Sequence, residues 1–200
     1  MLTDLPNVLT LSRIAAIPLI VLLVAIRRPG TDLAACVIFS AAAVTDYFDG
    51  MLARQRSQQS ELGRMLDPIA DKLLVGATLM MLVGLNRLSD PGLYPAVVIM
   101  LREILVSGLR EYLAFIRKSL PVTGLAKWKT GFQMGALGVL LAGDSGGALI
   151  GLGFLPVSNV GEVMLWIAAV LTLVTGWDYV TAGVHHASGP TDVKVARPPG

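Results

Sequence analysis

The sequence predicts an all-α integral membrane protein of six transmembrane helices, and three observations predict it. The 200 residues are 54% hydrophobic and only 15% charged, whereas a soluble domain carries about 25% charged residues. The mean hydropathy is +0.68. Six apolar stretches, roughly 9–26, 33–52, 68–86, 93–115, 131–153 and 160–182, alternate with short polar or turn-rich pieces. A soluble helical bundle fits poorly, because these stretches lack the polar stripe that a surface helix needs. The net charge of +2 gives no reason to expect a nucleic-acid partner.

The first stretch follows the polar MLTDLPNVLTLSR and has no small-residue cleavage site before Arg27-Arg28. It therefore reads as a membrane helix and not as a cleaved signal. The second carries the single cysteine, Cys36, in an apolar run, so its role is packing and no internal disulfide is possible. The third opens at Asp67-Pro68. Proline suits the first turn of a helix, so Asp67 is expected to cap it, with Asp71 one turn further in. The uncharged parts of these stretches, Ile14–Ile26, Leu33–Thr45 and Leu73–Leu85, are 13 residues each. Crossing the hydrocarbon core takes about 20. If the helices span, Asp46, Asp49 and Asp71 lie at membrane depth.

The fourth stretch, REILVSGLREYLAFIRK, sets Arg102, Glu103, Arg110 and Glu111 in an otherwise apolar helix. The fifth is apolar nearly all round, with Gly131, Gly135 and Gly138 at a spacing that lets membrane helices approach closely. The sixth ends near His185 and His186, which fit no motif and read as an interfacial end. Residues 1–186 then form one membrane domain, and 187–200, rich in Pro and Gly, are expected to be a disordered cytoplasmic tail.

Lysine and arginine set the orientation. With six spans both termini share a side. That side carries Arg13, Arg54, Arg56, Arg64, Arg117, Lys118, Lys127, Lys129, Lys194 and Arg197, against Arg27, Arg28 and Arg87 on the other. Ten against three places the termini and the second loop in the cytoplasm, in a plasma or bacterial inner membrane.

The stretch DYFDGMLARQRSQQSELGRMLDPIADK, Asp46 to Lys72, holds four aspartates in two close pairs. Residues three or four apart share a helix face, so all four carboxylates can converge beneath the cytoplasmic surface. Arg54, Arg64 and Lys72 are too few to neutralise them cleanly. Hard divalent cations resolve the repulsion: Mg²⁺ takes carboxylate oxygens and lets substrate phosphates complete its shell. Two such ions form a clamp for phosphoryl displacement. The expectation is a polar metal-binding cavity at the cytoplasmic side. Gly50, Ala53 and Gly63 leave room beside the carboxylates, and Arg54 is placed to meet a phosphate. Capping and surface ion pairs are the structural alternative, but ionisable residues inside membrane spans are functional by default. A divalent cation transporter is the rival from another class. Its carboxylates should lie near the midplane on broken helices, whereas these stand beside an Arg-rich loop.

The pattern D-x2-D-G-x2-A-R-x8-G-x3-D-x3-D, matched at every position from Asp46 to Asp71, resembles the signature of the CDP-alcohol phosphatidyltransferases. PNVLTLSR and the six-helix layout extend the resemblance over most of the chain. It implies transfer of a phosphatidyl group from CDP-diacylglycerol to an alcohol, with release of CMP, by a homodimer in the lipid bilayer. It implies that Asp46, Asp49, Asp67 and Asp71 hold two divalent cations, Mg²⁺ or Mn²⁺, and that Asp71 is also the general base. Gly50, Arg54 and Ser60 would contact the CDP moiety. Asn7, Thr10 and Arg13, in the family's N-x2-T-x2-R pattern, would line the nucleotide site; Asn7 and Thr10 read equally well as interfacial or capping residues.

The second half bears on the alcohol. Glu103 and Arg110 stand two turns apart on one face, which fits a buried ion pair. Alternatively Arg110, Lys127 and Lys129 form a basic pocket for an acceptor phosphate, which arginine recognises with paired hydrogen bonds. The lysines also fit plain positive-inside topology. REI…GLRE followed by AKWKT resembles the branch of the family that uses glycerol 3-phosphate, with Ala126 where that branch usually has glycine. Inositol phosphate, serine and phosphatidylglycerol are the other acceptors within the same chemistry.

Overall fold

Each apolar stretch becomes one helix. A computed structural model describes residues 5–56, 61–115 and 124–187; the side chains of 5–7, 46–56, 61–62, 64, 115, 178–179 and 182–187 fall outside that description. The helices are α1 (Leu5–Ala25), α2 (Pro29–Arg56), α3 (Glu61–Gly84), α4 (Leu93–Phe115), α5 (Gly124–Leu149) and α6 (Val157–Ala187), with no strand among the described residues.

The helices outrun the apolar stretches. Arg, Gln, Glu and Leu dominate the polar piece after Ala53, and these are good helix formers. Hence α2 continues to Arg56 and α3 already begins at Glu61. This corrects the expected cap. Pro68 lies inside α3 and not in its first turn, so Asp67 is an interior residue whose carboxylate is available to other partners. The price for the helix is local, since Pro68 has no amide hydrogen for the carbonyl one turn back.

At the far end of α3 the chain closes with Asn86 in the left-handed region, φ 54°. Arg87 N–H donates to the Leu82 carbonyl at 2.9 Å and Asn86 N–H to that of Val83 at 3.0 Å, the closure that such a residue permits. A break interrupts α5 at Gly143, where φ 58° and ψ −175° leave the helix. Only glycine adopts that conformation without strain.

α5 is the central strut, packed against α6 and α2; α1 packs against both α2 and α3, and α4 against α6. Phe39, Leu74, Ile99, Leu137, Leu140 and Leu165 fill the interior. Cys36 packs against this core, as expected. Gly135 faces Met164 of α6 and Gly138 faces Phe39 and Ser40 of α2, so two of the three glycines of α5 sit at close approaches; Gly131 faces open space. The outer surface is apolar: Leu22, Val37, Met80, Leu101 and Trp177 are exposed. Val8–Ala25 and Val157–Trp177 are long and apolar enough to cross a bilayer, and Pro29–Thr45 is a shorter apolar run. An apolar exterior around buried Arg, Lys, Asp and Gln belongs to a membrane protein.

α1 and α3 run parallel, because Thr10 meets Asp67 and Arg13 meets Asp71. α4 and α6 are likewise parallel, with Gly92 beside Glu162 and Arg102 beside Gly176. The starts of α1, α3 and α5 therefore share one end of the bundle with the finishes of α2, α4 and α6.

Candidate functional site

α1 is apolar apart from polar residues near its start. There Thr10 and Arg13, three residues apart and each 2% exposed, face α3. Buried polar groups require partners, and α3 supplies two. Thr10 Oγ1 donates to Asp67 Oδ1, and Arg13 Nη1 donates to Asp71 Oδ1 at 3.0 Å. The i, i+3 spacing on α1 matches the i, i+4 spacing on α3, giving two rungs between parallel helices. The Asp71 side chain remains 40% exposed although its arginine is sealed. A carboxylate aimed outward by a buried cation can still take a proton or a hard cation from the open side. Lys72 donates to the Pro68 carbonyl at 3.0 Å. Gly63, on the first turn of α3, is buried.

α2 carries Asp46, Asp49, Gly50 and Arg54 in its C-terminal half, toward the end of the bundle where α1 and α3 begin. Their side chains, like that of Asn7, lie outside the described residues, as does Ser60 altogether. Among the described residues no three His, Cys, Asp or Glu side chains come together. The described donors, Asp67 and Asp71, are carboxylate oxygens one turn apart, which suits Mg²⁺ or Mn²⁺. Two ligands alone do not complete such a site.

A second polar layer joins α4, α5 and α6. Lys129, 5% exposed, donates to Glu103 Oε1. Glu103 also faces Arg102 Nη1 at 3.4 Å, and Arg102 Nη2 donates to Thr175 Oγ1 at 3.2 Å. Among the described residues the ionic partners of Glu103 are thus Lys129 and Arg102, and not Arg110 as the helix spacing suggested. Arg102 and Arg110 both lie near enough to Lys129 to repel its charge. Arg110 and Lys127 are exposed while Lys129 is sealed, so the three basic residues share a region but not an environment. Gln133, one turn along from Lys129 and 3% exposed, and Thr172, fully buried, belong to the same layer of helices. Their Oε1 and Oγ1 atoms are buried and have no hydrogen-bond partner among the described residues. Sequence reasoning missed Gln133, Thr172 and Thr175; the signal available was a lone polar residue or pair in long apolar runs.

The opposite end holds a third cluster that was not foreseen. Arg87 Nη2 donates to Asp32 Oδ1 at 2.7 Å and Nη1 to the Leu141 carbonyl at 3.1 Å. That carbonyl lies two residues before the break at Gly143, where helical donors run out. Glu162 of α6 accepts from Ser89 N–H and Oγ at 2.6 and 2.5 Å, pinning the loop before α4.

Residues 3–174 match the family model described as CDP-alcohol phosphatidyltransferase. Among curated proteins, one from Rickettsia bellii is 48% identical over 179 residues, covering 90% of this chain and 94% of its own. One from Shigella flexneri is 40% identical over 181 residues, 90% and 94% of the two chains. One from Cereibacter sphaeroides is 38% identical over 206 residues, 88% and 93%. All three are named CDP-diacylglycerol–glycerol-3-phosphate 3-phosphatidyltransferase.

Proposed function

This chain belongs to the CDP-alcohol phosphatidyltransferase family, and from that premise we infer that it transfers the phosphatidyl group of CDP-diacylglycerol to glycerol 3-phosphate, forming phosphatidylglycerophosphate and CMP. The names of relatives 38–48% identical over most of the chain support the substrates. The observation that carries the mechanism is the double rung between α1 and α3, which holds two motif carboxylates side by side with Asp71 open to approach. We read all six helices as spans of a bacterial inner membrane, with the site and both termini cytoplasmic, because Lys and Arg concentrate on that side. The family resemblance supports a homodimer.

Asp46, Asp49, Asp67 and Asp71 would hold two divalent cations, Mg²⁺ or Mn²⁺. When bound, such ions neutralise the diphosphate and the charge that develops on departing CMP. The protein's own groups do the rest. Arg13 fixes one oxygen of Asp71, so the carboxylate faces the acceptor in a set direction, and geometry within hydrogen-bond reach is what a general base needs first. Asp71 takes the proton from a glycerol 3-phosphate hydroxyl. The oxygen forms a bond to the β-phosphorus of CDP-diacylglycerol as the bond to CMP breaks, and CMP leaves with the electron pair. Thr10 holds Asp67 against α1. Asn7, Gly50, Arg54 and Ser60 would bind the CDP moiety, with Thr10 and Arg13 lining it from α1. Arg110, Lys127 and Lys129 would hold the acceptor phosphate.

Release of CMP from CDP-diacylglycerol, measured with a panel of alcohols, tests the reading. Glycerol 3-phosphate should be the effective acceptor; release supported instead by serine, inositol phosphate or phosphatidylglycerol would reassign it. No Ser, Cys or His stands in the motif as a covalent nucleophile, so one in-line displacement should invert configuration at a chiral β-phosphorothioate. Retention would demand a phosphatidyl-enzyme intermediate.

A further inference from the structure

Lys129 is the least exposed of the three basic residues placed at the acceptor phosphate, and its direction is not its own choice. A lysine carries a compact charge on a flexible four-carbon stem, so a buried one points where a counter-charge holds it. That counter-charge is Glu103 of α4. Glu103 in turn has Arg102 beside it at 3.4 Å, and α6 has a seat built for Arg102. The Thr175 hydroxyl donates to the Leu171 and Thr172 carbonyls at 2.8 and 3.3 Å, which turns its lone pairs toward Arg102 Nη2 at 3.2 Å. Gly176 clears the path of the stem: a Cβ there would lie 3.2 Å from Arg102 Cγ. The chain of contacts runs from α6 through α4 to α5 and ends at Lys129.

On the reading that Lys129 binds the acceptor phosphate, we propose that Glu103 is a positioning residue for acceptor recognition, holding the Lys129 ammonium in place while Arg102 and Thr175 hold Glu103. Glu103 does not touch CDP-diacylglycerol or the reacting phosphorus; it acts through Lys129. A carboxylate at this position has a cost, because it opposes an incoming phosphate. A residue retained only to neutralise one cation would be replaceable by any arrangement that removed both charges. A positioning residue is not replaceable in that way, and the difference is measurable.

Steady-state kinetics of the full-length enzyme in detergent–lipid micelles test this with Glu103→Gln, Glu103→Asp, Lys129→Gln and the Glu103→Gln/Lys129→Gln double variant. Glu103→Gln should raise the KM for glycerol 3-phosphate about tenfold, the size expected when a buried charged hydrogen bond is weakened, and leave the KM for CDP-diacylglycerol unmoved. Glu103→Asp keeps the charge and should recover part of the loss; it also carries the test if the glutamine variant does not accumulate. The double variant should be no worse than Lys129→Gln alone, since groups that act in series are not additive. Equal rises in both KM values, a fall in kcat alone, or additive losses would overturn the positioning role. Lys129→Gln separates the two layers of the argument. If it raises the acceptor KM while Glu103→Gln does not, only the role of Glu103 falls. If it leaves that KM unchanged, the acceptor reading falls and takes this inference with it.

Discussion

An arginine–aspartate pair stands at each end of the bundle, and the two are built the opposite way round. At the far end Asp32 is sealed, its side chain 3% exposed, while Arg87 is 18% exposed and spends a second donor on the Leu141 carbonyl. At the site end Arg13 is sealed at 2% and Asp71 is 40% exposed. Chemically the pairs are alike. What differs is which partner is left facing out. A buried carboxylate locked by an exposed-side cation can only hold helices together. An outward carboxylate aimed by a buried cation can exchange protons and bind metal. On the proposed role of Asp71, burial, more than the identity of the pair, separates structure from function here.

Substitutions can break or sharpen that contrast. The largest effect should come from Asp71→Asn, which removes base and ligand oxygen together: CMP release should fall by roughly a thousandfold or more, with little change in the thermal midpoint. Full activity at ordinary metal concentration would erase the distinction between the two ends. Asp67→Asn and Asp46→Asn should be similarly inactive if all four carboxylates serve one site. Next comes Asp32→Asn, which leaves Arg87 without its counter-charge. Stability should drop by about 3 kcal/mol, the usual cost of breaking a buried pair from one side, with kcat per folded molecule retained. Thermal unfolding in detergent alongside active-site titration reads both. Replacing the whole far pair, Asp32→Leu with Arg87→Met, should recover much of that loss; the matching change at Arg13 and Asp71 should recover no activity. The smallest effect should be that of Thr10→Val, which removes one hydrogen bond from Asp67. About 1 kcal/mol corresponds to a several-fold loss in kcat/KM for CDP-diacylglycerol, and no loss at all would reduce Thr10 to a packing residue.

The six helices were legible because apolar runs between polar pieces leave little choice in a membrane-like composition. The aspartates stood out because charge in such runs needs a reason, and of the four the described side chains, Asp67 and Asp71, stand one turn apart beside α1. The partners of these two were only partly legible. Asp67 read as a cap because Pro68 suits a first turn, but the good helix formers upstream extend α3 back to Glu61, and capping geometry gives way to a rung with Thr10. Lys72 read as a possible neutraliser and turns instead to a backbone carbonyl. Glu103 and Arg110 share a face by spacing, yet a cross-helix lysine takes the carboxylate. The Asp32–Arg87 pair was invisible, since no local pattern announces a contact between residues 55 apart in sequence. Spacing within a helix is written in the sequence; the choice among helices is made by packing.

The rung between Arg13 and Asp71 joins residues 58 positions apart, and this has a consequence for how the protein is made. On the six-span reading, α1 enters the bilayer first, carrying an arginine whose Asp71 contact can form only when α3 follows. An ionised side chain within a span gains from every partner it meets, so the hairpin of α1 and α2 lacks one of the contacts that seat Arg13. On the proposed role of Asp71, the arrival of α3 supplies that contact and aims the base in the same event, so membrane insertion and assembly of the site are coupled.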